Sequence, residues 1–349
     1  MKDSVKYVIE RILFILLTAF IILSLTYILL QLIPLEPGGT DIQRWTFWEK
    51  QVELGYYVRI TDPMEAMRDG YDLSITVAGK VTYYRAQPIM VRYFNWLAAV
   101  AKGDWGVSSS DYWKGQSAMT ILMTGLPYSM RLNLISILIS IPLGIGLGIL
   151  AALKKNTWVD SLISTVVMIF ISVPSFVLIS FLLIWFGKIN GWPIRWPSDA
   201  DAAADPVLAF KAYVIPVMSL CFGSICAFAR YTRAELTEVM SSEFLLLART
   251  KGLTRSQAVV RHALRNSMVP IVPMIIAEFI GILSGSMVLE QIYGIPGIGS
   301  VLVNALNATD VPVIMVDMAI YTVIGLAATL IIDLSYGIVD PRIRMGARK

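Results

Sequence analysis

The chain has 349 residues, 56% of them apolar and only 15% charged, with a mean hydropathy of +0.66. An ordinary soluble domain carries roughly 25% charged residues, so this composition argues against an independent soluble enzyme and excludes a disordered chain. The net charge of +4 is modest, and two cysteines, Cys221 and Cys226, both inside one apolar run, exclude a disulfide scaffold. What remains is an integral membrane protein.

Six stretches reach the about 20 apolar residues that a helix needs to cross a bilayer core. In chain order they cover 12–33, 129–152, 162–186, 212–229, 268–289 and 313–335. Alternation of period two is absent from them, which excludes a barrel. The first is too long for a cleaved signal, and Leu32-Ile33-Pro34-Leu35 offers no small-residue cleavage site. Between the first and second stretches lie some 90 residues, 34–128, too many for a bare connector. Within them Leu73-Ser74-Ile75-Thr76-Val77 alternates, and Asp69-Gly70 and Ala78-Gly79 are turn signals, so Ile60 to Tyr84 reads as a strand or hairpin. Residues 88–101 place Ile89, Tyr93, Trp96, Leu97 and Val100 at helical spacing, an amphipathic helix closing at Gly103. That stripe either packs on the outer end of the bundle or docks an external partner.

The organisation is therefore a tail and first span (1–33), the 34–128 segment, and a membrane core (129–349). Inside the core, Gly144-Ile145-Gly146-Leu147-Gly148 reads as a close-packing face between helices, and Gly281 to Gly285 reads the same way. Basic residues set the orientation. Sixteen of them flank the first span, follow the second, fill the loop between the fourth and fifth, and end the chain, against three on the alternate short loops. Both termini are therefore expected in the cytoplasm, with 34–128 outside.

The inner loop between the fourth and fifth spans, 241–266, carries the clearest local signals. Ser242 can cap a first helix, with Glu243 well placed against its N-terminal dipole. Gly252 sits where a C-terminal cap favours glycine, and Thr254 with Gln257 three residues on forms a capping box for a second helix. Two capped helices with basic residues make an ordered protrusion, a handle for a cytoplasmic partner.

Chemistry of the chain's own is not visible. There is no G-x-x-x-x-G-K-[ST] nucleotide loop, His262 is the sole histidine, and no metal, nucleophile or paired-acid set appears, so neither catalysis nor a bound cofactor is expected. Three ionisable residues fall within apolar spans: Glu278, Asp317 and Asp333. Such groups normally face an aqueous path or a partner. Asp333, near the inner end, reads as structural. Glu278 and Asp317 either line a translocation path or hydrogen-bond across helices.

Taken together, these residues resemble the ABC importer permeases, and more narrowly the first permease subunit of the dipeptide/oligopeptide/nickel group. Ala248-Arg249-Thr250-Lys251-Gly252-Leu253-Thr254, with Arg261-His262-Ala263-Leu264-Arg265-Asn266 and Pro270, looks like the coupling-loop signature. Gly103-Asp104-Trp105-Gly106-Val107-Ser108 resembles the G-D-L-G-x-S element. Glu290-Gln291-Ile292-Tyr293-Gly294-Ile295-Pro296-Gly297-Ile298-Gly299 resembles E-x-x-F-x-x-P-G-x-G, and Asp333 through Asp340-Pro341-Arg342 resembles the D-x-x-Y…D-P-R ending. The wider importer pattern E-A-A is matched only at Ala248, the first two positions being Leu246 and Leu247.

The resemblance implies an all-α membrane protein of six transmembrane helices with an extracytoplasmic insertion between the first two, in a prokaryotic cell membrane. It implies import, chiefly of di- or oligopeptides, with nickel or glutathione as alternatives; a self-contained carrier or channel is the rival of another class. Implied partners are a second permease chain, two cytoplasmic ABC ATPases that hold the ATP and magnesium, an extracytoplasmic binding protein, and membrane lipid, with no nucleic acid. Residues 243–266 are expected to seat in an ATPase groove, Leu245, Ala248 and Leu253 giving apolar contact and Arg249, Lys251 and Arg255 meeting acidic groups or lipid heads, with Gly252 holding the turn. Glu290, Tyr293, Pro296, Gly297 and Gly299 are expected in an outer gate loop that leads into a surface helix, Ser300–Asn307.

Overall fold

The computed structural model describes residues 2–33, 40–113, 115–281 and 286–339. They fall into two compact units, one of Met1–Ile12, Gly125–Ser300 and Ile324–Lys349, the other of Leu13–Thr124 and Val301–Val323.

Among the described residues four helices are long and apolar enough to cross a membrane: Val8–Leu30, Ala118–Leu153, Pro206–Met240 and Val311–Ser335. Many of their large apolar side chains stay exposed, Leu13 at 60% and Phe14 at 65% among them, the reverse of a water-soluble bundle. Two helices outrun the apolar windows read from sequence. Pro206–Met240 starts six residues before its apolar window because Asp205 caps it, its Oδ1 accepting from the N–H groups of Val207 (2.9 Å) and Leu208 (3.1 Å) with Pro206 in the first turn. Hydropathy marks the part a membrane would cover, not where the helix ends.

The expected straight span 162–186 is instead a bent pair, Trp158–Ile171 and Ser175–Ile189, meeting at 97°. Pro174 sits at the break in an extended conformation (φ −60, ψ 142) and has no N–H to continue the ladder. The expected 268–289 span is described as helix over Ile271–Gly281, and residues 282–285 lie outside the described residues. Among the described residues a methyl group at Gly281 would meet nothing within 4 Å, and Gly285, the other end of the expected packing face, lies outside the described residues.

Gly144 and Gly148 make the expected close contact. A Cβ on Gly144 would stand 2.6 Å from Phe228 Cβ, and one on Gly148 2.6 Å from Ala229 O. Only hydrogen lets the Ala118–Leu153 and Pro206–Met240 backbones approach so closely. Gly146, two residues from each, meets nothing within 4 Å. The Pro206–Met240 helix is fixed on another side by an ion pair. Arg233 donates to Asp160 twice, Nε to Oδ1 at 2.6 Å and Nη2 to Oδ2 at 2.8 Å, and Asn156 N–H adds a bond at 3.0 Å. Asp160 is 4% exposed. Arg233→Ala would leave that carboxylate buried without its counter-charge; a full truncation costs about 3–5 kcal/mol, and partial access of water to Arg233 reduces this to about 2 kcal/mol. Thermal unfolding should show the loss, with Arg233→Lys recovering only part because a lysine cannot make the forked contact.

The second unit holds the one sheet among the described residues, so the chain is helical overall but not all-α. β1 (Tyr57–Ile60), β2 (Leu73–Val77) and β3 (Lys80–Ala86) pair antiparallel in the order β1-β3-β2. The expected hairpin is β2–β3: Ala78 (φ 50) and Gly79 (φ 79) form its two-residue turn, Val77 opposing Lys80. Asp69-Gly70 ends a short helix, Pro63–Asp69, instead of turning a strand. A helix not read from sequence, Asp41–Glu53, covers the sheet; its signal was Thr40 with Gln43, a reciprocal capping box. Trp48 from this helix packs with Ile75 and Tyr84 from the strands, and the Tyr84 hydroxyl donates to Glu49 Oε1 at 2.8 Å. Ile89–Ala101 is the expected amphipathic helix, its stripe carrying Tyr93, Trp96 and Leu97 against Tyr27 and Met315.

Candidate functional site

The 241–267 segment builds as two short helices, Glu243–Thr250 and Arg255–Ala258, the second continuing through a π turn, Val259–Ala263, into Leu264–Ser267. The Thr254–Gln257 capping box is present: Thr254 N–H donates to Gln257 Oε1 (3.1 Å) and Gln257 N–H to Thr254 Oγ1 (3.3 Å). Ser242 does not cap the first helix. Its hydroxyl turns back and donates to Val239 O at 2.5 Å, because the chain leaves the preceding long helix in a tight turn whose last carbonyls need donors.

Gly252 lies at φ +93, and a Cβ there would meet nothing within 4 Å. Its cost on substitution is therefore conformational and not steric. Gly252→Val should strain the turn by about 1–2 kcal/mol, and faster hydrogen exchange at the amides of the turn is expected while the chain still inserts. Unchanged exchange would show that the turn does not depend on glycine.

Leu245 is 5% exposed and packs with Ala152, Leu236, Ala258 and Val259, with Leu253 against the same cluster. Leu245 thus fastens the loop to the ends of Ala118–Leu153 and Pro206–Met240 and is not free for a partner. The apolar side chains offered outward are Leu247 (56% exposed) and Val260 (61%), beside exposed Lys251, Gly252 and Thr254. Leu247 is missed by a reading that assigns contact from the motif alone, since helix phase against the chain's own core decides which leucine turns out. The side chains of Ala248, Arg249 and Arg255 lie outside the described residues.

The Glu290–Gly299 segment is a buried knot. Helix Met287–Tyr293 ends at Gly294 (φ +73), and Glu290, 1% exposed, reaches over the turn that follows. Its Oε1 accepts from Ser129 Oγ (2.6 Å) and Ser286 N–H (3.1 Å), its Oε2 from Ser300 N–H (3.2 Å). Ser129 in turn accepts from Ile298 N–H at 3.0 Å. A Cβ on Gly297 would lie 2.4 Å from both Glu290 Oε2 and Ser129 Oγ, so the carboxylate fits only against glycine. Tyr293 is fully buried and donates to Pro193 O at 2.9 Å, while Pro296 is exposed. The following helix, Ile298–Asn307, is not the expected surface element: Leu302 is 2% and Ala305 0% exposed.

Glu278 accepts a short hydrogen bond from Ser224 and remains half-buried. Asp317 is 1% exposed on the Val311–Val339 helix in the second unit. Asp333 pairs with Arg11 at 3.2 Å, in keeping with a structural role. The Asp340-Pro341-Arg342 ending lies outside the described residues.

The Gly103–Ser108 element has a partner that sequence reasoning missed. Asp310, fully buried just before the last long helix, is held by the Ser108 hydroxyl and by the N–H groups of Ser109 and Ser110, both at 3.2 Å. The turn that aims them is set by Asp104 Oδ1, which accepts from Gly106 N–H at 2.9 Å. Nothing in the spacing links positions about two hundred residues apart.

Residues 144–345 match the family described as binding-protein-dependent transport system inner membrane component. The dipeptide transport system permease protein DppB of Lactococcus lactis is 31% identical over 344 residues, 98% of this chain and 100% of that protein. The oligopeptide transport system permease protein OppB of Escherichia coli is 32% identical over 262 residues, 75% of this chain and 83% of its own. One chain of a solved MetNI methionine ABC transporter aligns with 62% of this chain and 97% of itself, at a TM-score of 0.46 and 19% identity.

Proposed function

This chain belongs to the family of binding-protein-dependent transport system inner membrane components, and from that premise we propose that it is the permease subunit of an ATP-driven importer of di- and oligopeptides. The observation that carries the reading is the match along 98% of the chain to the full length of a dipeptide permease. The chain is a transport subunit and not an enzyme.

In this reading the chain works with a second, similar permease, two cytoplasmic ATPases that bind ATP and magnesium, and an extracytoplasmic binding protein. Six spans put both termini in the cytoplasm of a prokaryotic cell, 34–128 outside, and the 129–349 core around the path. The basic residues, sixteen against three, support that orientation, and four long apolar helices with the bent pair account for up to five of those spans.

Coupling rests on the 241–266 loop. Leu245 and Leu253 join it to two long helices, so a push on its outer face (Leu247, Lys251, Gly252) is passed to the spans as a rigid displacement. By the resemblance, Ala248, Arg249 and Arg255 belong to the same coupling segment. The Glu290–Gly299 knot serves as a stiff piece of the outer gate, and Glu278 lines the path. Its partly accessible side chain supports that place for Glu278.

The test is uptake of labelled short peptides and of nickel by cells lacking this chain. Peptide uptake should fall to background and return on complementation, with nickel uptake unchanged. Loss of nickel uptake alone would overturn the peptide assignment.

A further inference from the structure

The second unit holds a partly open cavity of about 40 Å³ where the end of the first helix meets the sheet subdomain. By the usual allowance of about 10–15 Å³ per water, it has room for some three waters or one small ion. Polar lining comes from Gln31, Gln51, Tyr56, Tyr57, Arg92 and Ser109. Every one of these side chains can donate a hydrogen bond, all but Arg92 can also accept one, and none carries a negative charge at neutral pH. Arg92 is 7% and Gln51 3% exposed.

Arg92 is a buried cation whose described side-chain partner is neutral: its Nη1 donates to Gln31 Oε1 in a short bond. Among the described residues no group accepts from Arg92 Nε or Gln31 Nε2, and Arg92 enters no described salt bridge. Asp310, whose neighbours Thr309 and Val311 help wall the cavity, already has both oxygens engaged by Ser108, Ser109 and Ser110. The tyrosines add no negative charge, since burial pushes the Tyr56 hydroxyl up to about 12 and raises Tyr57 as well. A buried guanidinium among neutral side chains, with its Nε unaccepted, is costly unless a negative charge meets it.

We propose that the Arg92 cavity binds a small monovalent anion, of halide or formate size, which supplies the missing counter-charge and locks the first helix to the sheet subdomain.

Thermal unfolding of the detergent-purified full chain in sodium chloride, against sodium gluconate at equal ionic strength, tests it. Chloride at ten times its dissociation constant should multiply the folded-to-unfolded ratio about elevenfold. Arg92→Gln should abolish the difference between the two salts. Sodium formate as a third arm tells a carboxylate occupant from a halide, and either stabilisation supports the site. If Arg92→Gln does not fold, bromide soaked into crystals of the wild-type chain gives an independent reading, with an anomalous peak beside Arg92 expected. Equal stability in chloride and gluconate with no bromide peak would assign the cavity to water and overturn the proposal.

Discussion

Glu290→Ala is expected to cost about 3–5 kcal/mol, because three donors that now share one buried carboxylate would each lose an acceptor worth about 1–3 kcal/mol. Those donors are the Ser129 hydroxyl and the N–H groups of Ser286 and Ser300. Water cannot easily replace the carboxylate, since both Glu290 and Ser129 are buried, at 1% and 0% exposed. The Ser129 hydroxyl also accepts from Ile298 N–H, so its own orientation depends on Glu290 taking its proton. Glu290→Gln should lose less: one carbonyl oxygen still accepts, but the amide NH₂ now faces donors. Gly297→Ala should approach the alanine truncation, its methyl displacing the same carboxylate from 2.4 Å away. Amounts of assembled complex in the membrane and thermal unfolding in detergent report all three. A Glu290→Ala chain as stable as the parent would show that the loop is held by its turn residues alone.

Asp310→Ala should be the second large loss, about 2–4 kcal/mol, for a similar physical reason in the other unit. The carboxylate gathers the N–H groups of Ser109 and Ser110 and the hydroxyls of Ser108 and Ser109. Removing it frees the Gly103–Ser117 loop from the start of the Val311–Val339 helix. Hydrogen exchange should rise at the amides of Ser109 and Ser110 before the unit as a whole unfolds. Asp310→Asn, which keeps one accepting oxygen, should show the same pattern at smaller amplitude. Unchanged protection of Ser109 and Ser110 in the alanine variant would refute the clamp.

These two carboxylates also mark how far a sequence can be read. Glu290 is visible as part of a motif, yet its task, holding the backbone of Ser286 and Ser300 together with Ser129, depends on a serine far away in the chain. Asp310 carries no local signal at all. The coupling loop divides the same way. Gly252 at positive φ and the Thr254–Gln257 box follow from short-range backbone chemistry, and both appear as expected. Ser242 fails as a cap because a nearer carbonyl, Val239 O, takes its hydroxyl. Leu245 turns inward because Ala152 and Leu236 are there to receive it.

Composition, hydropathy and local turn and capping signals determined that this is a multi-span membrane protein with a hairpin and an amphipathic helix after the first span and short capped structure in the inner loop. Those properties sum over many residues or over a single turn of chain, and need no knowledge of what lies opposite. The glycine contact of Gly144 and Gly148 with the facing helix, and the choice of Leu247 over Leu245 as the outward leucine, were decided only by tertiary structure. Each depends on which surface a side chain meets, and that surface belongs to a distant part of the chain.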